Sequence, residues 1–287
     1  MRLAEAPLPG PLAAHLAEPP GRAPSLVWLG QAGFVIDGGG HRVVIDPYLS
    51  DSLAEKYRGT RFPHRRMMPA PVAPGGIAHV TAVLATHAHT DHLDPGTLPA
   101  LLAANPDAVL VAPASVAETA LARSGIAPGR LRSIDAGGTL HLNPDLIVAA
   151  TRAAHESLET DDQGRHRFLG LAIRCGGATL FHSGDTIPFE GQVEEVRALG
   201  ADLALLPVNG RDAERRANGV PGNLTVAEAL GLARRAGIPA VVAHHFDLFD
   251  FNTVPRAEVE AVAARTTDIR LAPARTGVIY RLEEDGR

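Results

Sequence analysis

Short apolar runs rich in β-branched residues open the main part of the chain and predict β-strands. They are Leu26–Leu29, Phe34–Asp37 and Val43–Asp46. Between the second and third runs, Asp37–Gly40 supplies the backbone freedom that a hairpin turn requires. This pattern predicts that the folded part of the chain begins with a β-meander.

From Thr81 onward, strand-like runs alternate with segments that have helix signals. Ala82–Ala85 predicts a buried strand, and Asp94-Pro95 has the N-cap and first-turn proline of a helix over Leu98–Ala104. Further strands are predicted at Val109–Val111, Leu131–Ile134, Thr139–Leu142, Leu146–Ala150, Phe168–Arg174, Thr179–Phe181, Leu203–Val208, Ala240–Ala243, Ile269–Ala272 and Gly277–Leu282, and further helices at Ser115–Arg123, Val193–Leu199, Val226–Ala236 and Glu258–Ala264. Each half of the chain has strands first and helix–strand units afterwards. We therefore predict two packed sheets with helices outside, in one domain.

The first 24 residues differ from the rest in being rich in Pro and Ala. Pro7, Pro9 and Pro11 interrupt the apolar stretch, so we expect residues 1–24 to form a poorly ordered arm outside the core fold. The folded domain is then predicted to span residues 25–287.

Composition and charge narrow the class of protein. The 287 residues are 45% hydrophobic and 21% charged, which is ordinary for a globular protein with a sizeable core. The net charge of −5 and the lack of basic runs argue against a nucleic-acid partner. No segment approaches the roughly 20 apolar residues of a membrane span, and the single cysteine, Cys175, excludes an intramolecular disulfide. We expect a cytoplasmic soluble protein with no membrane partner.

The sharpest chemical signal is a cluster of potential metal ligands directly after the strand Ala82–Ala85. His87, His89, Asp91 and His92 follow the pattern His-x-His-x-Asp-His, which places three imidazoles and a carboxylate within six residues. Imidazole nitrogen and carboxylate oxygen suit zinc, manganese and iron. Packed together, these groups would be costly to leave unpaired, so the sequence predicts a metal site.

Further potential ligands occur at the ends of other predicted strands. His155 follows one strand, Asp185 follows another, and His244-His245 closes a third. Gly184 would let the backbone approach the site closely. Strand ends along one edge of two sheets can bring these groups to the same place.

In these residues, the chain resembles the L-ascorbate-6-phosphate lactonase branch of the metallo-β-lactamase superfamily. The superfamily features are His-x-His-x-Asp-His, the later lone histidine, the Ser-Gly-Asp-Thr segment and the terminal histidine. The segments that resemble the lactonase branch are Trp28–Phe34, Ile45–Ser50, Pro207–Asp212, Gly222-Asn223 and His245–Asp247.

The resemblance implies a fold and a ligand set. The fold would be a four-layer αββα sandwich of the α/β class, with two divalent metal ions at one edge. One metal would be held by His87, His89 and His155, the other by Asp91, His92 and His245, and Asp185 would bridge them. The family favours Mn²⁺, whereas the donor chemistry alone favours Zn²⁺.

His244 is the rival of His245 as the last ligand. Adjacent strand residues point to opposite faces, so both are not expected to reach one metal. The following Phe246 and Asp247 match the family pattern and favour His245. His182 is expected to lie behind the ligands or in the core.

The resemblance also implies a reaction. A metal-bound water loses its proton near a pKa of ~7, so a metal-bound hydroxide would attack a lactone carbonyl at neutral pH, and Asp91 would relay a proton as the catalytic residue. The substrate would be an anionic sugar-acid lactone such as L-ascorbate 6-phosphate. Arg211 is the candidate phosphate contact, with Arg215 and Arg216 nearby. The alternative for this stretch is a solvated charged loop in which Asp212 and Glu214 are the local partners.

Other substrate contacts and contacts between subunits are less defined by the sequence. Asn209 and Asn223 would orient substrate hydroxyls, and Gln31 would project from a turn near the metals. The aromatic stretch Phe246–Phe251 would either line the substrate pocket, pack in the core or form a subunit contact. The third of these alternatives would make the protein a homo-oligomer.

Three other functions are compatible with the same residues. Two metals also suit a phosphodiesterase acting on a small molecule or a phospholipid-type substrate. A di-iron redox centre would normally have an extra carboxylate where this chain has His89. A metal-stabilised protein that binds a sugar phosphate without turnover is the non-catalytic alternative.

Overall fold

The computed structural model of the protein describes residues 1–284, and these form two β-sheets with helices against the outer faces. The strands are β1 (Arg2–Pro7), β2 (Ser25–Gly30), β3 (Gly33–Gly38), β4 (His41–Ile45), β5 (Val80–Leu84), β6 (Val109–Pro113), β7 (Leu131–Ile134), β8 (Thr139–Asn143), β9 (Leu146–Arg152), β10 (Leu169–Cys175), β11 (Ala178–His182), β12 (Leu203–Pro207), β13 (Ala240–His244), β14 (Arg270–Pro273) and β15 (Val278–Glu283). The α-helices are α1 (Leu12–Ala17), α2 (Ser52–Lys56), α3 (Leu98–Ala104), α4 (Ala117–Ser124), α5 (Gln192–Ala198), α6 (Ala213–Ala217), α7 (Val226–Ala236) and α8 (Arg256–Arg265).

The two sheets differ in strand order, but each combines a group of antiparallel strands with a group of parallel strands. The first has the order β1-β15-β2-β3-β4-β5-β6-β7, and the second has the order β14-β13-β12-β11-β10-β9-β8. In each sheet the early strands are antiparallel, and the strands connected through helices are parallel. Parallel neighbours in each sheet therefore direct their carboxyl ends the same way, which is where loops can build a site.

Three apolar layers hold these sheets and helices together. One cluster lies between the sheets and includes Phe34, Leu84 and Leu205, all fully buried. A second packs α1, α3 and α4 on the first sheet, and a third packs α5, α7 and α8 on the second. The predicted α/β fold, a four-layer αββα sandwich, is confirmed.

Most of the predicted elements are present within a residue or two of their expected limits. The β3–β4 hairpin turns at Gly39 and Gly40, whose φ angles of 65° and 86° lie in the region that favours glycine. The helix predicted over Leu98–Ala104 has those limits, and α4 ends at Gly125 with φ 69°.

The N-terminal segment differs from its prediction as an arm outside the core. β1 pairs antiparallel with β15 at the edge of the first sheet, and Leu16 of α1 is completely buried. The buried Arg42 donates a hydrogen bond from Nη1 to the Leu16 carbonyl at 2.6 Å, and its Nε and Nη2 bind Asp37. The prolines delimit short elements instead of disordering them, since Pro7 ends β1 and Pro11 precedes α1.

Besides α1, the helices α2 and α6 lie outside the predicted set, because each has only five residues and no apolar periodicity. Asp212 caps α6 by accepting a hydrogen bond from the Arg215 amide. Among residues 1–284, none of the helices has both the length and the apolar character needed to cross a membrane.

Candidate metal centre

The candidate ligands all follow strands and meet at one edge of the sandwich. The loop of His87–His92 follows β5 of the first sheet. His155, Asp185 and His245 follow β9, β11 and β13 of the second sheet. The two sheets thus contribute to one cluster, as the positions at strand ends predicted.

Asp185 is the centre of this cluster. Its Oδ2 lies 3.1 Å from Nε2 of His245, 3.5 Å from Nε2 of His92 and 3.6 Å from Nε2 of His155. Asp91 lies beside it, with Oδ2 3.8 Å from Nε2 of His92 and 3.9 Å from Nε2 of His245. One carboxylate oxygen therefore faces imidazoles from both predicted ligand sets, which is the placement that a bridging ligand needs.

The potential ligand atoms fall into three groups, each with its atoms within 4.8 Å of one another. The groups are His87, His89 and His155; His87, His92 and Asp185; and Asp91, His92 and His245. The first and third are the two three-residue sets that the sequence resemblance implied. The structure thus brings all seven candidate ligands together.

Buried polar atoms in the cluster have the properties expected of metal ligands. Nε2 of His87, Nε2 of His92 and Oδ1 of Asp185 are buried without a hydrogen-bond partner. Burial lowers the pKa of His87 well below its usual value and that of His155 to about 4, so both rings keep a lone pair free. Unpaired buried donors and acceptors are costly, and coordination to a divalent ion would satisfy them. The residues therefore fit a metal.

Comparison with known proteins agrees with this geometry. A family model described as "Beta-lactamase superfamily domain" matches residues 41–246, which is more than half of the chain. The chain belongs to the metallo-β-lactamase superfamily. It is 28% identical to a UPF0173 metal-dependent hydrolase of Metallosphaera sedula over 231 residues, 80% of this chain and 88% of the relative. It is 29% identical to another from Methanoculleus marisnigri over 251 residues, 86% and 92% of the two chains.

Solved structures of the same fold agree with this assignment. A possible metal-dependent hydrolase from Veillonella parvula has a TM-score of 0.70 at 15% identity, covering 91% of this chain and 100% of that one. The isothiocyanate hydrolase from Delia radicum gut bacteria has a TM-score of 0.66 at 19% identity, covering 88% and 97%. Together with the relatives, the cluster makes this chain a metal-dependent hydrolase.

The hydrolase orients its ligands with a second layer of polar groups. Asp46 places Oδ2 2.7 Å from Nδ1 of His92, and Asp46 itself accepts hydrogen bonds from the amide and hydroxyl of Thr86 at 2.8 and 2.7 Å. Burial alone would lower the pKa of His92, but the carboxylates of Asp185 and Asp46 outweigh it and raise that pKa well above its usual value. The carbonyl of Gly222 lies 3.0 Å from Nδ1 of His155. Such partners fix the ring orientation and the nitrogen that faces the metal.

Asp46, which orients the His92 ring, was not among the residues predicted from the sequence. A signal was present, since Asp46 directly follows the apolar strand β4, which runs parallel to the strand that precedes the metal motif. It also lies in the segment Ile45–Ser50 that resembles the lactonase branch. Its φ of 45° is unusual for a non-glycine residue, as expected where function constrains the backbone.

The structure distinguishes His244 from His245. His244 ends β13 and packs edge-on against Phe34 at 5.3 Å, inside the core between the sheets. His245 has a left-handed φ of 67°, and its amide donates to the Gln31 carbonyl at 3.0 Å. This turn directs Nε2 of His245 to Asp185, so the expectation of His245 as the ligand agrees with the geometry.

His182 and Gly184 support the position of Asp185. His182 accepts a hydrogen bond at Nδ1 from the Gly184 amide at 3.0 Å, and its Nε2 lies 2.8 Å from the Ala32 carbonyl. Gly184 has φ 60°, and a Cβ there would stand 2.5 Å from the Leu169 carbonyl oxygen. The close backbone approach predicted at Gly184 is therefore present.

The residues predicted to contact substrate have mixed positions. Gln31 is buried beside the ligands, where Nε2 donates to Oδ2 of Asp91 at 2.8 Å. Arg211, in contrast, donates both Nη groups to Glu228 at 2.7 and 2.6 Å. Asn223 donates to Asn209, which in turn donates to Asn252.

None of these four residues is among those that line the cavity above the cluster, and their roles as substrate contacts stay predictions. Arg211, Asn209 and Asn223 are instead hydrogen-bonded to neighbouring side chains. Arg211 binds Glu228 because the first turn of α7 holds that carboxylate beside it. The sequence alone does not show that these two side chains are neighbours.

A cavity of about 450 Å³ lies over the candidate ligands. Its floor includes His89, Asp91, His155, Asp185 and His245. Its walls come from α2 and the loop after it, from the loop after α6, and from the segment after β13, with the lining residues Leu53, Lys56, Tyr57, Thr60, Arg61, Phe62, His64, Asn218–Pro221, Phe249 and Asn252. This volume suits a small organic molecule.

The aromatic stretch Phe246–Phe251 separates into two roles. Phe246 is fully buried and packs against Trp28 at 5.8 Å, so it belongs to the core. Phe249 lines the cavity, and Phe251 stacks on Phe62 at 4.6 Å. The later part of this stretch therefore holds the cavity wall in place.

Proposed function

We propose that this hydrolase opens a lactone ring, with a phosphorylated sugar-acid lactone such as L-ascorbate 6-phosphate as its substrate. The observation that carries the proposal is the position of the lactonase-like segments. Gln31 contacts Asp91, Asp46 contacts His92, and the Gly222 carbonyl contacts His155. Each of these segments thus supports a candidate ligand.

In this proposal, two metal ions are held by the cluster. His87, His89 and His155 would hold one, Asp91, His92 and His245 the other, and Asp185 would be shared. Bound divalent ions would supply a hydroxide nucleophile at neutral pH and polarise the lactone carbonyl. The choice of Mn²⁺ or Zn²⁺ would follow metal availability, since this donor set accepts both.

The side chains of the hydrolase provide positioning and proton transfer. Asp91 lies on the cavity floor, and the hydrogen bond from Gln31 fixes its Oδ2. Its carboxylate is placed to take a proton from the attacking water and return it to the ring oxygen that leaves as an alcohol. The aromatic wall around Tyr57 and Phe249 excludes bulk water from the bound ring.

The test is hydrolysis of L-ascorbate 6-phosphate by Mn²⁺-loaded protein, compared with metal-stripped protein and the Asp91→Asn variant. We expect turnover that requires metal and falls roughly 10²–10⁴-fold in the variant, the range for loss of a general acid–base group. Metal content is measured in each sample, because Asp91 is also a candidate ligand.

Absence of turnover at full metal occupancy would overturn the lactonase proposal. The same preparations are assayed with bis(p-nitrophenyl) phosphate and with allyl isothiocyanate. A metal-dependent rate on the phosphodiester far above that on lactones would replace the proposal with a phosphodiesterase. A preference for the isothiocyanate would replace the proposal with an activity like the one for which the isothiocyanate hydrolase is named.

A further inference from the structure

Three basic side chains line the cavity, and two of them are already used. Arg61 forms an ion pair with Glu214. Arg123 donates hydrogen bonds to the carbonyls of Ala88 and Leu93 at 2.6 and 3.2 Å, at the two ends of the metal-motif loop. Lys56, the only lysine of the chain, forms no ion pair within residues 1–284. Its ammonium group is the cavity's free cation in the described part of the chain.

Other arginines near the cavity are also engaged. Arg211 binds Glu228, Arg215 binds Asp212, and Arg216 binds Glu156. The arginine-rich stretch that the sequence singled out is therefore neutralised by its own acidic neighbours. An anionic substrate group would have to displace one of these carboxylates to bind there.

Lys56 is held in place by the helix that carries it. It ends α2, whose first residue Ser52 donates to the buried carboxylate of Asp94 at 2.7 Å. Leu53 of the same helix is buried, and its amide donates to the Tyr48 hydroxyl at 3.2 Å. Nζ of Lys56 lies 5.0 Å from the Tyr57 ring centre, a distance at which the ring attracts the ammonium.

Lys56 shares one cavity with the candidate ligands, since the floor of that cavity includes His89, Asp91 and Asp185. The cavity therefore combines carboxylates and imidazoles on its floor with the ammonium of Lys56 on its wall, which forms neither an ion pair nor a hydrogen bond among residues 1–284. A ligand with an electrophilic carbonyl at one end and an anion at the other matches this distribution of charge.

We propose that Lys56 binds the phosphate group of the substrate and is the residue that selects phosphorylated over neutral substrates. The inference rests on the proposed function, since it assigns the phosphate contact that a sugar-phosphate lactone requires. Lysine binds phosphate as a compact charge with three donors. Arg211, which the sequence favoured for this role, has no part in it.

Binding of product-like ligands tests this without turnover. Metal-loaded protein is titrated by calorimetry with 6-phospho-D-gluconate and with D-gluconate, which lacks the phosphate. We expect the wild type to prefer the phosphorylated ligand, and Lys56→Ala to reduce that preference roughly tenfold, since the ion pair is partly exposed to water. Lys56→Arg is expected to restore most of the preference.

Arg58→Ala is the matched control, because it removes the same charge two residues away from an exposed side chain that does not line this cavity. Equal effects of Lys56→Ala and Arg58→Ala would show a general charge effect and overturn the proposal. A wild type without preference for the phosphorylated ligand would also overturn it. Lactonase failure with an intact Lys56-dependent preference would reject only the proposed reaction.

Amine chemistry gives a second readout, because Lys56 has the only side-chain amine in the chain. Acetylation of Lys56 by an N-hydroxysuccinimide ester is followed by peptide mass spectrometry with and without 6-phospho-D-gluconate. We expect the ligand to slow acetylation of Lys56 several-fold and D-gluconate to slow it less. Equal protection by both ligands would contradict a phosphate contact.

Discussion

The orientation of the His92 ring depends on Asp46, which is not itself a candidate metal ligand. Its Nδ1 is bound to Asp46, and Asp46 is itself fixed by two hydrogen bonds from Thr86. A ligand imidazole held in this way has one ring nitrogen committed and the other directed at the cluster. At the scale of residues, we therefore expect metal affinity to depend on the groups that orient the ligands as well as on the ligands themselves.

Replacement of Asp46 by Asn is expected to weaken metal affinity roughly 10–100-fold, the range for loss of such a partner. An amide has a single acceptor oxygen for three donors, so one of its present hydrogen bonds is lost. Competition with a metal-sensitive chelator gives the affinity. Asp51→Asn, an exposed aspartate on the next segment, is the control. Unchanged affinity in Asp46→Asn would contradict the role given to this carboxylate.

Gly184→Ala is expected to displace Asp185 and to abolish tight metal binding. Its Cβ would stand 2.5 Å from the Leu169 carbonyl oxygen, a contact that the backbone must move to relieve. Gly200→Ala is a matched control, because Gly200 has the same φ of 60° with nothing within 4 Å of the added Cβ. Metal titration and thermal unfolding are measured for both. Similar losses in the two variants would show that backbone strain, not the clash, is responsible.

At the scale of elements, α1 is joined to the sandwich by a buried charge. Arg42 binds Asp37 through two hydrogen bonds and also donates to the carbonyls of Leu16 and Ala78. Both side chains of the ion pair are almost completely shielded from water. The N-terminal segment thus supplies a hydrogen-bond acceptor, the Leu16 carbonyl, to a buried guanidinium whose charge is paired with Asp37.

Arg42→Ala is expected to lower the free energy of unfolding by about 3–5 kcal/mol, because it leaves the carboxylate of Asp37 buried without its partner. Urea denaturation measures the change. Arg2→Ala, which removes an exposed ion pair with Glu283, is expected to cost about 0–1 kcal/mol. The double variant Asp37→Leu/Arg42→Leu should recover part of the loss. Equal costs for Arg42→Ala and Arg2→Ala would contradict this account.

At the scale of the whole molecule, the candidate centre ties the two sheets together. Its ligands come from the loop after β5 in the first sheet and from loops after three strands of the second. The full set of ligands comes together only in the folded state, since His155, Asp185 and His245 are far from the His87–His92 loop in the sequence. Metal binding is therefore coupled to stability.

Saturating metal is expected to raise the melting temperature of stripped protein. At a free metal concentration one hundred times Kd, linkage gives about 2.7 kcal/mol per site. Differential scanning calorimetry over a Mn²⁺ or Zn²⁺ series measures this shift. His245→Ala should reduce the shift, whereas His244→Ala should lower the stability of the metal-free core. A melting temperature that does not respond to bound metal would contradict the coupling.

The sequence by itself determined most of the elements and the ligand motif. Apolar periodicity and turn residues act over a few neighbours, so β2–β4, α3 and the His87–His92 loop were readable from local pattern. Tertiary structure alone decided which partner each polar group found. Asp46 contacts His92 at the ends of parallel strands, Glu228 binds Arg211, and β15 pairs with β1. These choices depend on contacts between residues distant in the chain, which no local pattern encodes.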